Sequence, residues 1–152
     1  MLKFTFAPMN KEIKQSALLT IEMEAQSIAG LKNFIDDSFE KAVQTIHTSK
    51  GRVVVTGIGK SAIVGQKIVA TLNSTGTPAL FMHAGDAIHG DLGMIQQDDV
   101  VIVISKSGES PEIKVLTPLI KNFGNTLIGM IGNKNSFLAR ESDHILDTTV
   151  TK

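Results

Sequence analysis

The chain has no cysteine, no tryptophan and no tyrosine. Without cysteine there is no disulfide, no thiolate metal site and no cysteine nucleophile. Without Trp and Tyr, aromatic stacking on sugars or bases is a poor basis for recognition. Charge of one sign is also missing: 15 Lys and Arg balance 15 Asp and Glu, for a formal net charge of zero. That balance removes the basic footprint of a nucleic-acid binder, so no nucleic-acid partner is expected. No apolar run approaches the roughly 18 residues that a membrane span requires. The amino-terminal MLKFTFAPMNKEIKQ lacks both the sustained apolar stretch and the small-residue cleavage signature of a secretory signal. These absences together predict a soluble, cytoplasmic protein.

What is present is a strand feeding a glycine turn. In VVVTGIGKSA, residues 53–62, a β-branched run leads into Gly57, Gly59, Lys60 and Ser61, and an apolar helical pattern follows at once. Glycines let backbone N–H groups approach a ligand, and the first turn of the next helix leaves unpaired donors and a partial positive charge. A second version of the device is VVIVISKSGESPEI, residues 100–113. Two such cradles on one sheet point to a small phosphorylated ligand.

The remaining chain supplies the sheet. Residues 10–31 carry Ile13, Ala17, Leu18, Ile21, Ala25, Ile28 and Leu31 on one helical stripe, with Asn10 as the expected N-cap. A second amphipathic helix is predicted from Asp37 to Thr48, ended by Gly51. This pair reads as a lid on the core or an oligomer contact. From Arg52 on, short apolar runs at Val53–Thr56, Ala79–Met82, Val100–Ile104, Thr126–Ile131 and His144–Leu146 predict five strands. Helices are predicted between them at Ile63–Leu72, Ile113–Phe123 and, as a short turn, Ser136–Glu141. Near-continuous apolar strands alternating with helices mean a doubly wound α/β domain with a five-stranded parallel sheet. The expected organisation is one domain over residues 1–152, with a helical hairpin at 1–50 and the α/β core at 51–152. Ligands of such sheets bind outside the carboxyl ends of the strands.

Two familiar readings of the first turn fail at nameable positions. The dinucleotide fingerprint is matched by Gly57, Gly59 and Ala62, but the acid needed at the end of the second strand is replaced by His83. The P-loop pattern ends correctly in GKS at 59–61, but its first glycine would be Val54, a strand residue. The second cradle packs Ser105, Ser107 and Ser110 around Gly108, ahead of Pro111 at a helix start. A plain capping turn needs fewer hydroxyls. His83, Asp86, His89 and Asp91 share one loop, whose spacing fits no dedicated metal motif. A histidine over a phosphate site suits acid/base work, and a structural histidine bonded to backbone fits each position equally well.

The strings TGIGKSA, STGTPALFMHAGDAIHGDLGMI, DDVVIVISKSGESPEI and SFLARESDHILD resemble the sugar isomerase (SIS) domain, specifically its arabinose 5-phosphate isomerases, from about Lys11 onward. The resemblance implies a flavodoxin-like strand order and interconversion of D-ribulose 5-phosphate and D-arabinose 5-phosphate, which leads to the Kdo sugar of lipopolysaccharide. It implies no metal or organic cofactor, a sugar-phosphate ligand and a homotetramer. By similarity Gly59, Ser61, His83, Ser105, Ser107 and Ser110 match substrate- or phosphate-binding positions, and Lys60, His89 and Glu112 match catalytic ones. Glu109 is the rival carboxylate to Glu112, being three residues away and able to share a helical face with it. Lys106 stands where the family usually has a small polar residue such as Asn, and Ala62 where glycine is common. The resemblance also implies that related domains continue past Lys152 into a helix bearing a further carboxylate and a histidine, with paired CBS domains in longer relatives. The rival from another class is a non-catalytic phosphosugar-sensing SIS module, which would need the serines but not Lys60, His89 and Glu112 together.

Overall fold

The computed structural model describes residues 9–150. The amino-terminal stretch that carries the expectation of no secretory signal lies largely outside them. Alternating backbone segments give α1 (Met9–Gly30), a 3-10 turn (Leu31–Phe34), α2 (Asp37–Thr48), β1 (Val53–Gly57), α3 (Lys60–Ser74), β2 (Ala79–His83) and α4 (Ala84–Ala87). A second 3-10 turn (Asp91–Met94), β3 (Val100–Ser105), α5 (Pro111–Asn122), β4 (Thr126–Ile131), α6 (Phe137–Glu141) and β5 (His144–Asp147) follow. All strand pairs are parallel, in the order β2-β1-β3-β4-β5. Chain direction therefore reverses its lateral course between β1 and β3, where a doubly wound sheet opens a crevice.

Burial on both faces explains the apolar strands. Val54, Val101, Val103 and Leu127 share one cluster with Ile113, Leu116 and Ile120 of α5 and Leu138 of α6. Their sequence neighbours Val53, Val55, Val100, Ile102 and Ile104 form the opposite cluster with Ala42 of α2, and Ile68 and Leu72 of α3 pack against it. Strand periodicity of two thus feeds two cores rather than one core and solvent. Helix α3 reaches the sheet closely at Gly65, where a Cβ would sit 3.1 Å from the Phe81 ring.

Several boundaries differ from the sequence expectation, and the differences fall at the strand ends. Strands β1, β2, β3 and β5 each run one residue further, to Gly57, His83, Ser105 and Asp147. Helix α3 starts at Lys60 rather than Ile63, so Lys60 and Ser61 belong to its first turn. The first turn carries Lys60, Ser61 and the small Ala62 in place of a large apolar residue, so apolar periodicity misses it. Asn10 lies inside α1 rather than capping it, because the helix begins at Met9. The two short helical turns within 84–94 carry no periodic apolar pattern, so the sequence predicts neither.

The two amino-terminal helices have different fates. Asp36 caps α2 by accepting from the N–H groups of Ser38 and Phe39 at 3.0 and 3.1 Å. Ser38 Oγ then accepts from the Ile145 N–H at 2.8 Å and lies 3.0 Å from the Ile145 carbonyl, to which it donates. One hydroxyl so satisfies part of the exposed edge of β5, and Thr45 hydrogen-bonds His144 Nε2 at 3.1 Å beside it. Helix α1 is different: its residues from Glu12 to Ala29 are exposed, and Leu18 and Ile21 are each 62 % exposed.

The amino-terminal side of the sheet is locked by a buried carboxylate. Asp99 accepts from Arg52 Nη2 at 2.7 Å and from the Arg52 and Gln96 backbone N–H groups at 2.8 Å each. Burial pushes this carboxyl up, but the Arg52 guanidinium and the two N–H donors outweigh it and hold the group below its ordinary value of 3.8. A depressed folded-state value means that the contribution is complete above the unfolded value and is lost as pH falls through the folded one. Acid unfolding followed by circular dichroism should therefore show stability falling below about pH 4, where unfolded carboxylates start to bind protons. Asp99→Asn should be destabilised near neutrality and lose part of that acid dependence.

Candidate functional site

The carboxyl edge of the sheet gathers the ends of β1, β2, β3 and β4. Gly57 is in register with His83 on one side and Ile104 on the other, and Ser105 pairs with Ile131. A Cβ at Gly57 would lie 3.2 Å from the Ile104 carbonyl and from Ser61, tighter than ordinary contact, so a side chain here would press β3 and α3 apart by a few tenths of an ångström. Gly59 turns the chain with φ +57° and ψ −128°, a conformation that side chains disfavour, and its carbonyl accepts from the Ala62 N–H at 3.1 Å. Behind this turn Lys60 and Ser61 begin α3, with Ser61 half-buried and Lys60 exposed.

The second loop is built by its own hydroxyls. Ser105 Oγ accepts from the Gly108 N–H at 3.1 Å, and Ser107 Oγ accepts from the Glu109 N–H at 3.3 Å. Each hydroxyl acts here as an acceptor, so its proton is still free to donate. Ser110 is the N-cap of α5 but makes no side-chain capping bond, and Pro111 follows in the first turn. The Ser110 hydroxyl therefore remains open toward the donors of the helix start. Gly108 has φ +65°, and a Cβ there would collide with Ser136 Oγ. The loop thus rests directly on the start of α6, and the Gly108 carbonyl accepts from the Leu138 N–H at 3.1 Å.

Between the two loops lies a cleft of about 430 Å³ lined by Ile58, Ser61, Ile104, Ser105, Lys106, Ser107, Ser110 and Gly132. Four of the expected phosphate-binding serines are therefore brought together. Lys106 and Gly132 were not among the expected site residues. Gly132 follows the fourth apolar strand, and a glycine directly behind such a strand is the signal that could have found it.

The remaining expected residues are not among those lining the cleft. Gly59 and Lys60 border it at the start of α3, and Glu112 sits half-buried in the first turn of α5. His83 ends β2, with Nδ1 buried and lacking a hydrogen-bond partner, 3.6 Å from Asp86 Oδ2. His89 lies exposed between α4 and the following 3-10 turn. Among the described residues no three metal-ligating side chains gather into one group, and no helix is long and apolar enough to cross a membrane.

The two rival carboxylates differ sharply. Glu109 precedes α5 instead of lying on it, so the expectation of a shared helical face fails. Its Oε2 is 2.6 Å from Lys114 Nζ and its Oε1 accepts the Phe137 N–H at 2.5 Å. The Lys114 ammonium, the Phe137 N–H and nearby Arg140 hold this carboxyl below its usual range. Glu109 is occupied in joining the loop to α5 and α6. Glu112 makes no hydrogen bond or ion pair among the described residues.

A family model for the SIS domain matches residues 45–152. The arabinose 5-phosphate isomerase KdsD of Pseudomonas aeruginosa is 50% identical over 141 residues, covering 93% of this chain and 43% of that protein. The chain spans about two fifths of the length of the curated relatives it matches. Among solved structures, a candidate sugar-phosphate isomerase from Listeria monocytogenes superposes with a TM-score of 0.89 at 36% identity, covering 95% of this chain and 76% of that one. A protein of Escherichia coli CFT073 in complex with arabinose 5-phosphate superposes with a TM-score of 0.79 at 37% identity, covering 91% and 75% of the two chains.

Proposed function

The chain belongs to the SIS-domain family, and from that premise we propose that it binds a pentose 5-phosphate and interconverts D-ribulose 5-phosphate with D-arabinose 5-phosphate, a step toward Kdo and lipopolysaccharide. The observation that carries the reading is the cleft that unites Ser61, Ser105, Ser107 and Ser110 with the first turns of α3 and α5. Hydroxyl donors and two helix starts suit a phosphate.

The chemistry follows from the sugar. A base removes a proton from C1 of the ketose to give an enediolate, then returns a proton to C2 to give the aldose. O1 loses its proton and O2 gains one, so the atoms balance without a redox cofactor. Glu112 is the base, because it is uncommitted while Glu109 is held by Lys114 and the start of α6. Lys60 stabilises the enediolate oxygens. His89 carries the oxygen protons, and His83 at the end of β2 contributes to holding the sugar. No metal or organic cofactor takes part. This acid/base set separates an isomerase from a phosphosugar sensor, which would need the serines alone. Incubation with D-ribulose 5-phosphate should yield D-arabinose 5-phosphate by NMR, whereas tight binding without product would favour the sensor.

The reading also implies a cytoplasmic protein and a homotetramer, with no nucleic-acid partner. The apolar stripe of α1, exposed at Leu18, Ile21 and Ile28, is where a second copy would pack. Analytical ultracentrifugation should show a tetramer, and Leu18→Glu with Ile21→Glu should lower its order. An unchanged assembly would remove α1 from the contact.

A further inference from the structure

The serines and helix starts supply neutral donors and partial charge, whereas a phosphate monoester carries about −1.5 to −2 near neutral pH. Lys106 is the one cation among the residues lining the cleft. Its backbone is held against the end of β4, and its stem passes over Gly132. The Lys106 carbonyl accepts from the Gly132 N–H at 3.1 Å, and its Cγ lies 3.2 Å from where a side chain at 132 would begin. Gly132 thus leaves the stem room to lie across the end of β4. No carboxylate is within ion-pair distance of Lys106 among the described residues. Glu109, the nearest acid along the chain, is already taken by Lys114. Lys60, at the start of α3, is outside the cleft lining.

We infer that Lys106 is the countercharge for the substrate phosphate in this chain, a specificity residue that favours dianionic phosphate esters. The inference rests on the phosphosugar reading and divides labour between two lysines: Lys60 serves the carbonyl end and Lys106 the phosphate end. A charge-assisted bond contributes more than a neutral one, by an amount that corresponds to about tenfold in affinity. Because the ammonium is exposed, that gain is screened by salt.

The test is calorimetric titration of D-ribulose 5-phosphate into the wild-type chain, Lys106→Asn and Lys106→Arg, at low and high ionic strength. Lys106→Asn should bind about tenfold more weakly at low salt and lose much of the salt dependence. Lys106→Arg should stay within about threefold of wild type, since it keeps the charge. Ser107→Ala reports the cradle independently. If Lys106→Asn bound like wild type with the same salt response while Ser107→Ala weakened binding, the Lys106 role would be wrong and the phosphosugar reading would stand. If the wild type itself bound no sugar phosphate, both would fall.

Discussion

Glu112→Gln is expected to lower the rate of ribulose 5-phosphate isomerisation by about 10²–10⁴-fold, the usual range for a positioned general base. The amide keeps size and hydrogen-bonding capacity but cannot accept the C1 proton. Binding of the phosphate should change little, because the serines of the cleft are untouched. A fall in kcat with KM nearly constant is the signature of a group acting mainly in the transition state. Glu109→Gln makes the informative comparison. Its carboxylate holds Lys114 and the Phe137 N–H, so its loss should loosen the loop, raise KM and lower thermal stability. If Glu109→Gln abolished turnover while Glu112→Gln left it intact, the roles given to the two carboxylates would be reversed.

Gly108→Ala should have the largest structural effect at the site. At φ +65° an alanine pays a left-handed backbone cost of about 1–2 kcal/mol. Its Cβ would also occupy space 2.5 Å from Ser136 Cβ. Ser136 is fully buried and its Oγ accepts the Ala139 N–H at 3.3 Å as the cap of α6. Turning that side chain away sacrifices the cap, another 0.5–2 kcal/mol or so. Thermal denaturation should therefore show a loss of roughly 2–4 kcal/mol, together with weakened phosphate binding. Gly124→Ala is the control, having φ +81° and nothing within 4 Å of the added methyl. Equal losses in the two variants would mean that backbone strain alone acts and that the contact with α6 is slack.

These contrasts show which parts of the molecule were legible in the residues. The sheet was legible because Val53–Val55 and Val100–Ile104 are buried on both faces, and a continuous apolar run is the direct record of that environment. The serine cradle was legible because three hydroxyls around a glycine exceed what a helix cap consumes. The choice between Glu109 and Glu112 was not, since it depends on Phe137, 28 residues away from Glu109, and on the ion pair with Lys114. The start of α3 was misplaced for a related reason: Lys60 is exposed and Ser61 lines the cleft, and core periodicity is silent there. Gly132 and Lys106 meet because β3 pairs with β4 through Ser105 and Ile131, a tertiary fact of which the sequence shows only a glycine behind the fourth strand.

The central claim is proton transfer between C1 and C2 at the edge of this sheet. D-ribulose 5-phosphate incubated with the protein in deuterium oxide and followed by proton NMR tests it most directly. The account predicts deuterium at C2 of the D-arabinose 5-phosphate formed and exchange of one C1 hydrogen of the ketose, both suppressed in Glu112→Gln. Saturated binding with all carbon-bound hydrogens retained after long incubation would contradict it.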